Sequence, residues 1–317
     1  MPGSDIFQAI EQQATAVPVA PELSALGAEL RGRYGTSVAA ILFYGSCMRS
    51  GNVLDGLADL YVVVDRYRGA YEGAGMALVN WLLPPNVFYL EVPVPAGTVR
   101  AKYAVLSMTQ LLKGTSDAWF QAYLWGRFAQ PTAILYVRDD QAKEQVVAAL
   151  GQAAVTFLSR SLPCLPKRFT ARQLWEDSLA LSYGTELRAE KSNRQVQLFD
   201  TFPDHYHRLT PLALAEVPYE IQFPLRDAEG DYLAHIPRWV RWLSRVGWAL
   251  RRVQGKLLSV LRLVKALFTF RGGVDYILWK LERHSGVKIE APERVRRHPL
   301  LLGWGLVWRL YRRGIFR

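Results

Sequence analysis

Two residue groups have the types and spacing for a chemical role, one on phosphates and one as metal ligands. The stretch "ILFYGSCMRSGNVLDGLADLYVVVD", 41–65, breaks an apolar run at Gly45-Ser46 and opens a second run at Asp59. A glycine after a buried strand lets the backbone approach a triphosphate closely, and a serine hydroxyl adds a donor. A carboxylate on the next strand can hold a divalent metal against the phosphates, whose charge grows as a leaving group departs. Enzymes of this kind usually place two carboxylates one residue apart, whereas Asp59 is flanked by Leu57 and Tyr61 at the alternate positions. The stretch alone therefore fits an active transfer site, a decayed one, or two core strands joined by a turn. The second group, Asp204, His205 and His207 in "DHYHR", offers three possible ligands, but it is expected to be a surface loop. No Walker-type loop and no dinucleotide fingerprint is present.

The elements that would position these residues follow from periodicity. "PELSALGAELRGR" reads as a helix, and "SVAAILFY" and "LYVVVD" as buried strands. "YEGAGMALVNWLL" reads as a helix ended by Pro84-Pro85, and "NVFYLEVPV" and "AKYAVLS" as a hairpin around "PAGT". Helical spacing follows in 109–131, then a strand in "TAILYV" and a strong helix from Asp140. Another helix starts at Thr170, a suitable N-cap. The order predicts an α+β protein with a catalytic domain over 1–140 and a helical domain over 141–235.

Charge divides the chain. From Asp231 to Arg317 there are 19 Lys/Arg against 5 Asp/Glu, leaving 20 against 23 in the rest, and six of the ten tryptophans lie in this basic tail. Between Trp239 and Leu267, apolar residues recur at helical spacing with Arg and Lys between them. The tail lacks the roughly 18–20 uninterrupted apolar residues that span a bilayer, so residues 236–317 are expected to lie on an anionic membrane surface. The competing expectation is a helix packed on the body with its charges solvated; nucleic acid is the least favoured partner. The two cysteines, Cys47 and Cys164, argue against a disulfide scaffold and fit a reducing compartment, and the N-terminus shows no signal or transit pattern.

Two later stretches extend the first motif. "AKYAVLSMTQLLKGTSDAWFQAYLWGRFAQPTAILY" carries Lys-Tyr-x-Val-x-Ser, Leu-Leu, Trp, Tyr, Gly-Arg and Pro in order; "LWEDSLALSYGTELRAEKSNRQV" carries Leu-Ser-Tyr, an acid, and Arg two residues later. Together with "FYGSCMRSG…LADLYVVVD" they resemble the mitochondrial-type phosphatidate cytidylyltransferases (CDP-diacylglycerol synthases of the mitochondrial translocator assembly and maintenance family), and suggest a bacterial relative. The resemblance implies a nucleotidyltransferase-fold mixed sheet, a winged-helix-like second domain and C-terminal amphipathic helices. It further implies transfer of CMP from CTP to phosphatidate with Mg²⁺, at the cytoplasmic face of a membrane, which is the bacterial inner membrane for a bacterial protein. Carried over by position, Tyr44, Gly45, Ser46 and Arg127 would hold the nucleotide. Asp59, Lys102, Glu186 and Arg188 would be catalytic, Asp59 and Asp55 would bind metal, and Glu190 matches a later acid. Cys47 stands where the family has a third glycine, and the family's His- and Asn-rich stretch after the second strand is not recognisable in 67–86. Two other readings remain: a transferase for another phosphorylated acceptor, and a non-catalytic membrane adaptor on a decayed fold.

Overall fold

The computed structural model describes residues 4–16, 20–186, 194–224 and 231–269. Two helices, α1 (Ser4–Ala16) and α2 (Pro21–Tyr34), precede strand β1 (Val38–Tyr44). A one-turn helix α3 (Ser46–Ser50) leads to β2 (Ala58–Val64), and the short helices α4 (Tyr67–Ala70) and α5 (Ala74–Leu82) lead to the hairpin β3 (Asn86–Val94) and β4 (Gly97–Ser107). Helices α6 (Met108–Thr115) and α7 (Ala122–Phe128), strand β5 (Ala133–Val137) and the long helix α8 (Asp140–Ser161) follow. The five strands form one mixed sheet in the order β3-β4-β2-β1-β5, in which β2 and β4 are parallel and the other neighbours antiparallel.

Both faces of this sheet are covered, which is why its central strands read as unbroken apolar runs. Ile41, Phe43, Leu60, Val62 and Val105 pack against Leu23, Leu26 and Leu30 of α2, Tyr67 of α4 and Ala77 of α5. Leu42, Tyr61, Val63 and Leu106 point the other way, into a larger core with α1, α6, α7 and α8. Among the described residues α8 alone is long and apolar enough to cross a membrane, but its most apolar window is 78% buried, as for a central core helix.

The same core continues without a break into the rest of the chain. There, α9 (Ala171–Tyr183), α10 (Arg194–Thr201) and α11 (Pro203–Ala215) accompany a three-stranded sheet in the order β6 (Arg168–Phe169), β8 (Tyr232–His235), β7 (Glu220–Gln222). Thr170 caps α9 as expected. Its side chain accepts from the Gln173 N–H, while the Gln173 side chain accepts from the Thr170 N–H. His205 and His207 lie on α11, correcting the expected loop; Pro203 occupies the helix start, where its missing N–H costs nothing. Among the described residues no three His, Cys, Asp or Glu side chains gather as a metal site.

The last described element, α12 (Arg238–Thr269), packs with its polar side inward. Trp248 is 1% exposed, and its indole donates to the Arg160 carbonyl at 2.8 Å. Arg251 donates to the Phe120 carbonyl at 2.8 Å, and Arg262 to that of Pro84 at 2.9 Å. Lys265 donates to the carbonyls of Leu83 and Pro85. The apolar stripe through Trp239, Trp242, Val246, Leu250, Val253, Leu257 and Val264 is left outward.

Candidate active site

The site is built where the β1–β2 end of the sheet leaves the core. β1 ends at Tyr44, and Gly45 turns the chain with φ +90°, a conformation that side chains resist. A Cβ on Gly45 would stand 2.5 Å from Asp59 Oδ2, so the absence of a side chain here lets the Asp59 carboxylate lie against the turn. Ser46 then begins α3, and Arg49 follows one turn later. Tyr44, Gly45, Ser46, Arg49 and Asp59 line one wall of a cleft. Arg127 and Gln130 after β4, Tyr183 of α9, Leu198 of α10 and Phe202 just after it complete the lining.

Strand register sets the charge across the sheet. Tyr44 pairs with Asp59, Asp59 with Lys102, and Lys102 with Tyr89. Residues directly opposite in neighbouring strands share a face, so Asp59 and the exposed Lys102 project side by side. The next row holds Glu91, which accepts from Tyr89 at 2.6 Å and pairs with Arg100 at 3.1 Å.

Arg127 closes the cleft from α7. Its guanidinium lies 5.3 Å from the Tyr44 ring centre and 5.0 Å from that of Tyr123, and its Nη2 meets Glu186 Oε1 at 3.4 Å. Burial disfavours its charge, but Tyr44, Tyr123, Tyr61 and Glu186 around it more than compensate and hold it protonated. Its Nε–H is buried with no acceptor among the described residues. A half-buried cation with a spare donor in the lining of a cleft suits an anionic ligand. The Tyr44 hydroxyl is pushed up by burial, with Asp59 adding to the rise, so it remains a neutral donor.

Two close approaches bring these parts together. Gly126 lets α7 cross α9, because a Cβ there would meet Ser182 Oγ at 2.3 Å. Gly255 of α12 sits so near the turn carrying Glu186 that a Cβ would lie 2.3 Å from the Thr185 carbonyl oxygen. Arg262 of α12 lies 4.3 Å from the Tyr123 ring centre, so α12 reaches the same aromatic cluster that holds Arg127.

Tyr44, Gly45, Ser46, Asp59, Arg127 and Glu186 therefore converge, and Lys102 joins through the strand register. Asp55 does not line this cleft; it accepts from Asn52 Nδ2 at 2.9 Å, and its own N–H donates to Asn52 Oδ1 at 3.1 Å. Asp65, at the far end of β2, is held by both Arg138 Nη groups, a structural clamp. Arg188 and Glu190 lie outside the described residues. Sequence reasoning passed over Arg49, Tyr123, Gln130 and Tyr183. Only Arg49, one helical turn from Ser46, carried a local signal.

Comparison with known proteins adds a likeness over the middle of the chain. Residues 65–197 match the family model described as phosphatidate cytidylyltransferase, mitochondrial. A protein of that name from Drosophila melanogaster is 35% identical over 97 residues, 31% of this chain and 28% of the fly protein. The match thus spans under a third of that relative's length. Among solved structures, a nucleotidyltransferase-like protein from Exiguobacterium sibiricum aligns over 93% of this chain and 92% of its own, at 11% identity and a TM-score of 0.28, too loose a superposition to transfer anything. The family match includes Lys102, Arg127 and Glu186 and begins after Gly45, Ser46 and Asp59. Over its central stretch, residues 65–197, the chain is similar to the mitochondrial phosphatidate cytidylyltransferases.

Proposed function

We propose that the protein transfers CMP from CTP to phosphatidate, giving CDP-diacylglycerol and pyrophosphate, at the surface of an anionic membrane. The observation that carries this reading is the seating of Asp59 against the side-chain-free Gly45 turn, in one cleft with the half-buried Arg127, in a chain whose central stretch matches that family.

A phosphatidate oxygen attacks the α-phosphorus of CTP, and the bond from that phosphorus to the β-phosphate oxygen breaks as pyrophosphate leaves. The attacking phosphate monoester is already anionic near neutral pH, so no strong protein base is needed. The task of the protein is alignment and charge stabilisation. The Gly45-Ser46 turn would admit phosphate oxygens near the backbone, with the Ser46 hydroxyl as donor. Arg127 would bind a non-bridging oxygen through its unpaired Nε–H, with Glu186 fixing the plane of its guanidinium. Lys102 would supply a second cation beside Asp59.

The donor set suits Mg²⁺ rather than a metal that needs a full protein cage. Magnesium keeps waters and is commonly bound by one or two carboxylates together with substrate phosphates. Asp59 is the residue that would hold it, and the ion would neutralise charge on the triphosphate. Asp55 and Glu91 are each engaged by neighbouring donors, and Glu186 by Arg127.

The acyl chains of the lipid substrate would stay in the bilayer, which gives the outward apolar stripe of α12 a purpose. Arg238, Arg245, Arg252 and Lys256 are exposed along one border of that stripe and would meet anionic headgroups, each contributing on the order of 1 kcal/mol. The reading makes the protein peripheral on the cytoplasmic face, where CTP is supplied.

Purified protein with CTP, Mg²⁺ and phosphatidate vesicles should release pyrophosphate and form CDP-diacylglycerol. Absence of product with Mg²⁺, Mn²⁺ and Co²⁺ alike would overturn the assignment. Product with a different phosphorylated acceptor instead would keep the chemistry and change the substrate. Asp59→Asn should abolish turnover with an unchanged unfolding midpoint.

A further inference from the structure

Helix α5 carries three apolar side chains that the core does not use. Leu78, Trp81 and Leu82 are 54%, 61% and 63% exposed, and their spacing puts them on one face of the helix. The next residues, 83–85, are fastened to α12 through main-chain carbonyls: Lys265 bonds to Leu83 and Pro85, and Arg262 to Pro84. These inward contacts bring the end of α5 to the last described turns of α12. There Val260, Leu261 and Val264 point outward. Two separate elements thus present large apolar groups in one neighbourhood, joined by the inward-turned Arg262 and Lys265.

We propose that Leu78, Trp81 and Leu82 form a second lipid anchor, and that α5 and α12 together seat the protein on an anionic phospholipid bilayer. The inference rests on the reading of α12 as a lipid-facing helix and adds a site to it. Neither helix contains Asp or Glu, while Arg and Lys recur through α12, so the platform complements anionic headgroups. Tryptophan beside leucine is suited to the depth where headgroups meet acyl chains. Geometry gives the second anchor its role. A single helix lying in an interface can roll about its own axis, and a contact off that axis stops the rolling. Because α12 is tied to the Glu186 turn at Gly255 and to Tyr123 through Arg262, stopping the roll also fixes how the cleft faces the lipid.

The test uses the full chain with Cys164→Ser, labelled with an environment-sensitive fluorophore at Leu82→Cys or, separately, at Leu257→Cys. Vesicles of phosphatidylglycerol and phosphatidate carry quenchers in their acyl chains. Lipid-dependent quenching at both positions is the expected result. Quenching at 257 without 82 overturns the second anchor and leaves the α12 reading standing; quenching at neither overturns both. A concentration-dependent shift at 82 without lipid would assign the face to a second copy of the chain, and overturns the proposal as well. Independently, Trp81→Ala with Leu82→Ala should weaken vesicle partitioning about tenfold or more, as loss of two large apolar contacts requires. CTP binding and the unfolding midpoint should not move, since both side chains are exposed; unchanged partitioning overturns the proposal.

Discussion

Gly45→Ala is the substitution that most directly probes the site. The added methyl meets two separate obstacles. The first is conformational: φ of +90° with ψ of −159° is a region that essentially only glycine adopts, and a side chain there costs about 1–3 kcal/mol. The second is steric: the methyl would lie 2.5 Å from Asp59 Oδ2 and 3.2 Å from Asp59 Cβ, so the carboxylate must move by about an ångström, a displacement that can cost on the order of 100-fold in rate. Gly51→Ala separates the two effects. Gly51 also has a positive φ, +68°, but a Cβ there meets nothing within 4 Å. Gly51→Ala, in the left-handed helical region, should lose about 1–2 kcal/mol in denaturant titrations, and Gly45→Ala more than that. Only Gly45→Ala should lose about 100-fold in kcat, measured as pyrophosphate release at saturating CTP and vesicles. Equal activity losses in the two variants would refute the argument that the turn is glycine in order to seat Asp59. So would near-normal turnover in Gly45→Ala.

Other perturbations test the neighbouring parts. Arg127→Lys keeps the charge but loses the planar contacts with Tyr44, Tyr123 and Glu186, and should lower kcat/KM at least about tenfold in steady-state assays. Gly255→Ala should push α12 from the Thr185 carbonyl, costing about 1–3 kcal/mol and lowering turnover together with stability; unchanged thermal unfolding would show that the two elements are not in close contact. His205 is pushed down by burial to about 4, and its Nε2 has no partner among the described residues. The unfolded chain, near 6.5, therefore binds the proton more readily. Stability from this residue is present above pH 6.5 and is lost as pH falls toward 4, by up to about 3 kcal/mol. His205→Phe should flatten that part of a stability-versus-pH curve measured by denaturant titration.

Much of the fold was legible because local chemistry agreed with the final structure. The capping box at Thr170, the 86–107 hairpin, and the strand pair 38–44 and 58–64 follow from signals within a few residues of each other. The misses have the opposite character. Strands β6, β7 and β8 are two to four residues long, too short for any alternation to register. The apolar stretch after Ser107 became two helices because Ser116 to Gln121 interrupts it, where Trp119 turns its carbonyl to accept from the Trp125 indole at 3.1 Å. His205 and His207 seemed to belong to a loop because their polarity hid a helix whose buried face is Tyr206, Leu209 and Ala213.

The sequence by itself determined which chemistry was worth seeking. Gly45, Ser46 and Asp59 are one local motif, and the basic, tryptophan-rich tail is visible in composition alone. Only the tertiary structure decided which distant groups meet that motif. Strand register puts Lys102 beside Asp59, and the close crossing at Gly126 brings Arg127 to Glu186; both depend on contacts between segments far apart in the chain. The direction of α12 was undecidable from sequence for a related reason. A helix with an apolar stripe and a basic stripe can bury either one. Here the carbonyls of Phe120, Leu83, Pro84 and Pro85 needed donors, so Arg251, Arg262 and Lys265 turned inward and the apolar stripe was left facing out.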